Sequence, residues 1–334
     1  MRALVLHGPG ALKYEPGWVA PALAEGTALV RVKASGICGS DLPRVMQTGA
    51  YHHPLIPGHE FSGTVVEARS AAVRPGDRVT VLPIIPCGHC PGCQVGPFHC
   101  THYDFVGSRR DGGFAEYCVV PTENLFPLNP STTDEAAAFI EPLAVTLHAL
   151  RRSSMPPGAR ALVFGGGAIG ILIAQWAKLL GASEVVLADL RAESLQVAAA
   201  CGIERTVNPR SEEFTRLGGF THIFEAAGST AALISGIELA APRATFTIVG
   251  REVNDTVIPH PVFERLMRKE MDVKGCWGYD LRQDRAFLLE TLNAGRFVLA
   301  PMITHRVELA DGPKMIADMW RKSMFYCKVM FTVS

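Results

Sequence analysis

The sequence predicts an α/β protein with a β-rich first part and a parallel α/β part after it. Up to about residue 150, short strand-like runs are separated by glycine and proline, as expected of β-strands joined by turns. From Ala159 onward, buried strands alternate with helices, which is typical of parallel β-α-β units. A length of 334 residues suffices for about two domains.

Each element follows from a local pattern. In the first part, apolar or alternating runs predict strands at 28–32, 63–66, 77–82 and 115–120. An alanine-rich segment that opens with capping residues predicts a helix over 133–150. In the second part the predicted strands are 160–164, 185–190, 221–225, 245–249 and 272–276, and the helices are 168–180, 193–201 and 231–239. A helix over 285–292 and a strand over 329–333 follow.

Composition excludes several classes of protein. Hydrophobic residues make up 48% and charged residues 19%, a balance that excludes a disordered chain. The 32 basic and 32 acidic side chains cancel, which argues against a nucleic-acid-binding protein. No apolar run is long enough for a membrane span, and the apolar start is too short for a secretory signal. We therefore expect a cytoplasmic protein that binds neither nucleic acid nor membrane.

A predicted strand runs into a glycine-rich loop of the G-x-G-x-x-G type. Gly165 permits a tight turn, Gly167 lets the backbone approach a pyrophosphate, and Gly170 lets the helix pack on the strand. The N–H groups at the helix start, with Ala168 and Ile169 in its first turn, would hold the phosphates. The order of strand, loop and helix favours a dinucleotide site over a purely structural turn.

The choice of dinucleotide depends on Asp189, which lies nineteen residues after Gly170 at the end of the next predicted strand. A carboxylate there would accept hydrogen bonds from the adenosine ribose and repel the 2′-phosphate of NADP. The sequence therefore predicts NAD as the cofactor. Arg191, two residues further on, belongs to the same predicted site and is the side chain that would favour NADP instead.

Four cysteines form a compact group, the cysteine lobe, with the spacing C-x2-C-x2-C-x6-C: Cys87, Cys90, Cys93 and Cys100. Four thiolates suit a tetrahedral zinc ion with no open position, which is a structural site. An iron–sulfur cluster also takes four thiolates and is the chemical alternative. In a cytosolic chain, this clustering among nine cysteines favours metal over disulfides.

A looser set combines Cys38 with the neighbouring pair His59 and Glu60, and with Glu141 much later in the chain. One cysteine, one histidine and a carboxylate would hold zinc and leave a position for water or substrate, which is the mark of a catalytic metal. The spacing alone is a weak signal, because a buried cysteine or histidine usually serves packing.

Several phrases, taken together, resemble the zinc-dependent medium-chain dehydrogenase/reductase family and, within it, the polyol dehydrogenase branch. They are Gly36-Ile37-Cys38-Gly39-Ser40-Asp41, Gly58-His59-Glu60-Phe61-Ser62-Gly63, the cysteine lobe, Asp111-Gly112-Gly113-Phe114-Ala115-Glu116-Tyr117, Glu141-Pro142 and the glycine loop. The resemblance implies an NAD-dependent zinc oxidoreductase that takes a hydride from a secondary hydroxyl of a polyol or polyol phosphate and yields a ketose. Dehydrogenases of unphosphorylated alcohols and non-catalytic NAD-binding relatives are the alternatives.

The resemblance implies two zinc ions. Cys38, His59 and Glu141 would hold the catalytic ion, and Glu60 would stand beside them or exchange into the coordination shell. The cysteine lobe would hold the structural ion. The gap before the last cysteine of the lobe is one residue shorter than is usual in the family, so a flanking histidine is an alternative fourth ligand.

The resemblance also implies how a proton and a substrate are handled. Ser40 would hydrogen-bond the substrate hydroxyl and relay its proton, and Asp41 would orient the ring of the zinc-binding histidine. Pro43 stands where many relatives have a relay histidine, so the proton would leave by another route, through water.

Arg109 and Arg110 are candidates for binding the phosphate of a sugar phosphate, because a guanidinium pair can clamp it bidentately. Two solvated loop arginines, or a salt bridge to Asp111, are the plainer alternatives.

By resemblance, residues 1–146, completed by 281–334, would form a GroES-like β-barrel catalytic domain. Residues 147–280 would form an inserted Rossmann domain, doubly wound, that binds NAD. Relatives pair through an edge strand of the nucleotide domain, here at 272–278. A homodimer or homotetramer that acts on a small-molecule substrate is therefore expected.

Overall fold

The computed structural model describes residues 1–333, and the chain divides into two compact units. The first unit comprises residues 1–141 with those from Arg282 onward, and the second unit is Pro142–Leu281. These bounds fall five residues before and one residue after the domain boundaries expected at 146/147 and 280/281. None of the helices in the described part of the chain is both long and apolar enough to cross a bilayer.

The strands are numbered along the chain. They are β1 (Ala3–Leu6), β2 (Leu12–Glu15), β3 (Thr27–Gly36), β4 (Glu60–Ala68), β5 (Arg78–Val81), β6 (Ile84–Ile85), β7 (Asp104–Phe105), β8 (Tyr117–Pro121), β9 (Leu125–Pro127), β10 (Arg160–Phe164), β11 (Glu184–Ala188), β12 (Arg205–Val207), β13 (Phe220–Glu225), β14 (Ala240–Ile248), β15 (Asp272–Gly275), β16 (Ile303–Val307) and β17 (Lys328–Thr332).

The α-helices are α1 (Asp41–Pro43), α2 (Pro91–Val95), α3 (Asp134–Ala137), α4 (Ile140–Ser153), α5 (Ala168–Leu179), α6 (Ala192–Ala200), α7 (Glu212–Thr215), α8 (Thr230–Leu239), α9 (His260–Arg268), α10 (Arg285–Asn293) and α11 (Gly312–Trp320). A π-helical turn spans Arg44–Thr48, and 3₁₀ turns span Pro97–His99, Thr122–Asn124, Ala300–Met302 and Leu309–Asp311.

The first unit is built on a seven-stranded sheet with the order β16-β17-β3-β4-β5-β9, in which β8 also pairs with β3. All pairs are antiparallel except β16 with β17. Residues of β3 alternate between buried and more exposed positions, as expected of a strand with one face on the core. Phe114 and Phe331 meet in that core edge to face, with ring centroids 4.9 Å apart.

The second unit contains a six-stranded parallel sheet with the order β12-β11-β10-β13-β14-β15. This is the order of a doubly wound dinucleotide-binding sheet. Four of the five residues of β10 are buried, as expected of a central parallel strand covered on both faces. The chain extends the sheet from β10 toward β12 on one side and from β13 toward β15 on the other. In this fold, ligands bind in the crevice beyond the carboxyl ends of the two central strands, β10 and β13.

The helix predicted over 133–150 is in fact two helices, α3 and α4, separated at Ala138 and Phe139. Thr133 caps α3 by accepting a hydrogen bond from the Ala136 N–H at 3.1 Å. Pro142 has no N–H to donate to the carbonyl four residues earlier, so a continuous helix would be interrupted there. A proline is tolerated in the first turn, and α4 accordingly begins two residues before it.

Candidate active site and metal centres

The pairing of β3 with β4 brings the first candidate ligands together. Gly36 lies opposite Glu60 in this antiparallel pair, so Cys38, just after β3, comes close to His59, just before β4. A Cβ on Gly36 would lie 2.5 Å from Glu60 Oε2, so the glycine leaves room for the carboxylate. Gly58 has a φ of +100°, and a side chain there would overlap the Phe114 ring.

Cys38, His59 and Glu60 form a group whose potential ligand atoms all lie within 4.8 Å of one another. His59 and Glu60 are 3% and 2% exposed, and Cys38 is half-buried. A thiolate, an imidazole and a carboxylate are the donors that zinc takes in proteins, and three protein ligands leave a coordination position open. The donor set therefore fits a catalytic zinc ion.

Asp41 supports His59 from the side. Its Oδ1 lies 3.3 Å from His59 Nδ1, and this nitrogen has no other polar partner among residues 1–333. The other ring nitrogen, Nε2, can then bind a metal ion. Burial lowers the pKa of His59, but Asp41 and Cys38 outweigh this and raise that pKa well above its usual value. The negative charges that attract a proton to this ring would equally attract a metal cation.

Besides its contact with His59, Asp41 is held in place by two hydrogen bonds. Its Oδ2 accepts a hydrogen bond from the Cys38 N–H at 3.1 Å, and Arg44 Nη1 donates to Oδ1 at 2.8 Å. Burial raises the pKa of this carboxyl, but His59 and Arg44 outweigh it and hold the pKa below its usual value. Asp41 thus stays ionised as a fixed acceptor for the imidazole.

Lys328, at the start of β17, is a site residue that the sequence analysis missed. Its Nζ donates to Glu60 Oε2 at 2.6 Å and to the Ile37 carbonyl at 3.3 Å, and the side chain is buried. Burial lowers its pKa, but Glu60 and Cys38 outweigh this and raise it, so the lysine stays charged. A lysine at the head of a buried apolar strand was the available signal, since buried lysines need a partner.

Glu141, in the first turn of α4, lies outside the group formed by Cys38, His59 and Glu60. It is 7% exposed, and burial raises the pKa of its carboxyl to about 7, with the nearby Glu60 carboxylate adding to the rise. Without a cation nearby, burial favours the neutral form of this carboxyl over the ionised form. The structure thus places Glu60, and not Glu141, beside the other two donors.

Ser40 lies next to the metal group and is exposed. Its Oγ donates to Cys38 Sγ at 3.3 Å, so the hydroxyl is held beside a candidate ligand atom while remaining in contact with solvent.

The cysteine lobe brings all four sulfur atoms together. Neighbouring Sγ atoms are 3.6 to 3.8 Å apart: Cys90 to Cys93, Cys87 to Cys93 and Cys90 to Cys100. Four sulfurs at about 2.3 Å from a tetrahedral zinc ion would be roughly 3.8 Å apart. A hydrogen bond from the Thr101 N–H is the largest effect on Cys90 and helps to lower the pKa of its thiol to about 5. The lobe therefore fits a closed structural zinc site.

Cys100 occupies the fourth position in spite of the short gap before it. The N–H groups of Cys87 and His102 donate to its Sγ at 3.3 and 3.4 Å. The side chain of His102 contacts Thr101, and His99 is exposed. Neither histidine joins the sulfur group.

The glycine loop of the second unit has the geometry of a phosphate cradle. Gly165 has a φ of +100°, and a side chain on Gly170 would overlap the Gly165 carbonyl. A Cβ on Gly167, by contrast, would meet nothing within 4 Å. Gly167 is exposed, and Ala168 and Ile169 are half-exposed at the start of α5. The first N–H groups of a helix are free to bind an anion there.

Asp189 follows β11 at the edge of this loop. Its Oδ2 accepts a hydrogen bond from the Gly166 N–H at 2.6 Å, and its Oδ1 accepts one from the Arg191 N–H at 2.7 Å. The carboxylate is thereby fixed beside the loop, and the Arg191 residue is exposed.

The two loop arginines have different surroundings. Arg110 pairs with Asp104 at 2.6 Å and not with Asp111, which instead accepts from the Ile56 N–H at 2.9 Å. Arg109 lies between the rings of Tyr51 and Tyr103.

Comparison with known proteins agrees with this geometry. Residues 24–130 match the family model for the alcohol dehydrogenase GroES-like domain, and residues 168–294 match that for zinc-binding dehydrogenases. The galactitol 1-phosphate 5-dehydrogenase of Escherichia coli K12 is 34% identical over 338 residues, which cover 97% of this chain and 98% of that protein. The chain belongs to the zinc-binding dehydrogenases. Its resemblance to the medium-chain family, and to the polyol dehydrogenase branch within it, is thereby confirmed.

Solved structures of this family have the same fold. Galactitol-1-phosphate dehydrogenase from Escherichia coli gives a TM-score of 0.90 at 33% identity, over 99% of this chain and 100% of that chain. A zinc-binding dehydrogenase from Sinorhizobium meliloti, bound to NADP, gives 0.92 at 29% identity, over 99% and 98%. This dehydrogenase therefore combines a GroES-like domain with a Rossmann domain, and it is an NAD-dependent oxidoreductase that uses zinc.

Proposed function

We propose that this dehydrogenase oxidises a secondary hydroxyl of a polyol or a polyol phosphate with NAD and releases the ketose. The observation that carries the proposal is the convergence of Cys38, His59 and Glu60 on one point beside an exposed Ser40. The likeness to galactitol 1-phosphate 5-dehydrogenase over nearly the whole chain supports a polyol substrate.

Cys38 and His59 would hold the catalytic zinc ion, with a carboxylate as third ligand. Glu60 is the carboxylate within reach, and Lys328 holds one of its oxygens. Glu141 would enter the shell only by moving toward the metal. Cys87, Cys90, Cys93 and Cys100 would hold the structural ion.

When bound, zinc supplies the Lewis acidity that lowers the pKa of the substrate hydroxyl, and NAD accepts the hydride. The chain's own groups manage the proton. Ser40 Oγ accepts it from the substrate hydroxyl and passes its own proton to water, because the side chain is exposed and Pro43 offers no further relay. Asp41 keeps the His59 ring in one orientation throughout.

Gly165, Gly167 and Gly170 would seat the pyrophosphate of NAD at the start of α5, where Ala168 and Ile169 stand. Asp189 would accept the ribose hydroxyls and exclude a 2′-phosphate, which supports NAD over NADP. The dissociation constants of the two cofactors test this preference, and tighter binding of NADP would reject it. Arg191 is then the residue to exchange first, because it is the cation nearest to Asp189 in sequence.

The decisive experiment is a panel of free and phosphorylated hexitols and pentitols with NAD, followed by the absorbance of NADH. We expect turnover of at least one polyol by protein that contains about two zinc ions per chain. Turnover of free polyols alone would identify an enzyme for unphosphorylated alcohols. No turnover of any polyol, with NAD bound normally, would indicate a non-catalytic relative.

A further inference from the structure

Three arginines lie near the candidate metal site, and two of them are neutralised. Arg44 donates to Asp41 at 2.8 Å, and Arg110 pairs with Asp104 at 2.6 Å. No carboxylate among residues 1–333 lies within ion-pair distance of Arg109. Its positive charge is therefore the one of the three that a ligand could still neutralise.

The Arg109 guanidinium is held flat between two aromatic rings. Its central carbon lies 4.0 Å from the centroid of the Tyr51 ring and 4.1 Å from that of the Tyr103 ring. Rings on both sides leave only the edge of the guanidinium, where its N–H groups are, for a hydrogen-bonding partner. Stacking also fixes the plane in advance, so little side-chain entropy is lost when an anion binds.

One donor of this guanidinium has no acceptor. Arg109 Nε is fully buried and has no hydrogen-bond partner. A buried donor without an acceptor is unfavourable, and proteins keep such groups rarely. An anionic ligand at the edge of the guanidinium would supply acceptors in the bidentate geometry that arginine prefers.

The backbone around Arg109 connects it to the metal group. The Arg109 N–H donates to the Phe105 carbonyl at 2.9 Å, and the Phe105 ring packs edge to face on the His59 ring, with centroids 5.5 Å apart. Gly107 packs so closely on Gly58 that a Cβ would overlap the Gly58 carbonyl. Arg109 is therefore connected to the metal group through one residue, Phe105.

We propose that Arg109, stacked between Tyr51 and Tyr103, binds the anionic terminal group of the substrate, and that Arg110 and Arg44 do not. The proposal rests on the proposed polyol dehydrogenase function and adds to it that the preferred substrate carries a terminal phosphate or carboxylate. Both groups offer the coplanar oxygens that an arginine edge binds bidentately.

The test compares kcat/KM on three matched substrates: a hexitol 1-phosphate, the corresponding aldonate and the free hexitol. For Arg109→Met, we expect the ratio of the anionic to the free substrate to fall about 10- to 100-fold, as for the loss of a charge-assisted bidentate contact. A fall confined to the phosphate, or to the aldonate, identifies which anion the enzyme prefers. Arg109→Lys keeps the charge but lacks the planar edge of the guanidinium. Its ratio of kcat/KM on the anionic to the free substrate should therefore lie between those of Arg109→Met and the wild type.

Arg110→Met is the matched control, because it removes a neighbouring arginine that is already paired. It should change kcat/KM for all three substrates by the same factor, so the ratio stays that of the wild type. Equal losses on all substrates in Arg109→Met, at an unchanged melting temperature, would overturn the proposal. The proposal would also be overturned if the ratio of anionic to free substrate fell further in Arg110→Met than in Arg109→Met.

Direct binding separates this proposal from the function itself. Calorimetric titration with the hexitol 1-phosphate and with the aldonate should show weaker binding to Arg109→Met than to the wild type, whether or not the compound is oxidised. If the wild type oxidises no polyol but binds an anion through Arg109, the proposed function fails and the anion site stands. If it oxidises free hexitol but binds neither anion, the anion site fails and the function stands.

Discussion

The two units of this dehydrogenase build their sites from different parts of the chain. The first unit uses side chains: thiolates, an imidazole, carboxylates and an ammonium group, which come from segments as distant as Cys38 and Lys328. The second unit uses backbone: a glycine turn, the first N–H groups of α5 and one carboxylate, Asp189, which backbone N–H groups hold. A side-chain site depends on single atoms, whereas a backbone site depends on the path of the chain.

This difference predicts how each site responds to substitution. Removing one donor atom from a metal site removes a bond that no neighbour can replace. In a backbone site, most side-chain changes leave the N–H groups where they are, and only a change that moves the chain or fills the ligand's space matters. The largest effects are therefore expected in the first unit.

The largest effect should follow Cys38→Ser or His59→Ala. Either change removes a ligand of the catalytic zinc ion, so we expect kcat to fall by at least about 1,000-fold, which corresponds to several kcal/mol of lost transition-state stabilisation. Zinc content should fall from about two to about one ion per chain. The affinity for NAD, measured by fluorescence titration, should change little, because the predicted NAD site is formed mainly by backbone groups of the second unit.

Cys276→Ser is the matched control, since Cys276 is half-buried and lies outside both sulfur and metal groups. It should keep both zinc ions. Near-normal turnover by Cys38→Ser, or by protein stripped of zinc, would show that the side-chain group is not the catalytic centre.

A smaller and different effect should follow Cys93→Ser in the cysteine lobe. This closed site contributes stability, so loss of its zinc ion should lower the melting temperature by about 10 °C while the folded enzyme keeps its kcat within about threefold. Scanning calorimetry, zinc analysis and turnover below the transition measure the three quantities. A loss of turnover as deep as that of Cys38→Ser, at an unchanged melting temperature, would contradict a structural role.

The glycine loop offers a pair of substitutions that separates folding from binding. Gly170→Ala would force a Cβ onto the Gly165 carbonyl, so we expect a lower melting temperature and weaker NAD binding together. Gly167→Ala meets nothing within 4 Å, so its melting temperature should stay within about 1 °C. Its NAD dissociation constant should rise about tenfold, since the new methyl group stands where the pyrophosphate approaches.

Titration calorimetry and thermal melts without NAD test this pair. If both variants lose stability equally, the loop is a structural turn. If Gly167→Ala binds NAD as the wild type does, the pyrophosphate does not lie against this glycine.

The sequence predicted most of the second unit because its elements are local. The glycine loop, β10 and Asp189 lie within one continuous β-α-β segment, and their spacing alone indicated their role. The short strand β12, the four-residue helix α7 and the helix α9 were missed. A strand of three residues carries almost no periodic signal, and α9 has a single fully buried position, Val262.

The first unit was harder because its site is assembled by the register of distant strands. The pairing of Gly36 with Glu60 selects Glu60 as the carboxylate beside Cys38, and no spacing rule contains that information. Lys328 enters through β17, nearly three hundred residues after Ile37, to which it also bonds. The cysteine lobe was the exception, since its four ligands are close in sequence.

The smallest effect concerns Glu225, a buried glutamate at the carboxyl end of β13. Burial raises the pKa of its carboxyl, although hydrogen bonds to its Oε1 from the N–H groups of Ala227 and Ser229, at 2.8 and 3.3 Å, oppose the rise. A carboxyl whose pKa is higher in the folded than in the unfolded chain stabilises the fold below the unfolded pKa of about 4.3, and this contribution is lost as the pH rises through the folded pKa.

Glu225→Gln keeps an oxygen for both N–H groups and cannot ionise. Its free energy of unfolding relative to that of the wild type should therefore increase with pH above about 4.3, by at most about 1 kcal/mol at pH 8. Glu193→Gln, which changes an exposed glutamate, is the control and should show no such increase. Urea unfolding from pH 4.5 to pH 8 measures the difference. A difference that stays constant over this range would mean that the carboxyl has the same pKa in the folded and in the unfolded chain. The backbone N–H groups of Ala227 and Ser229 would then offset the burial of this carboxylate, and the contrast between the two units would be sharper still.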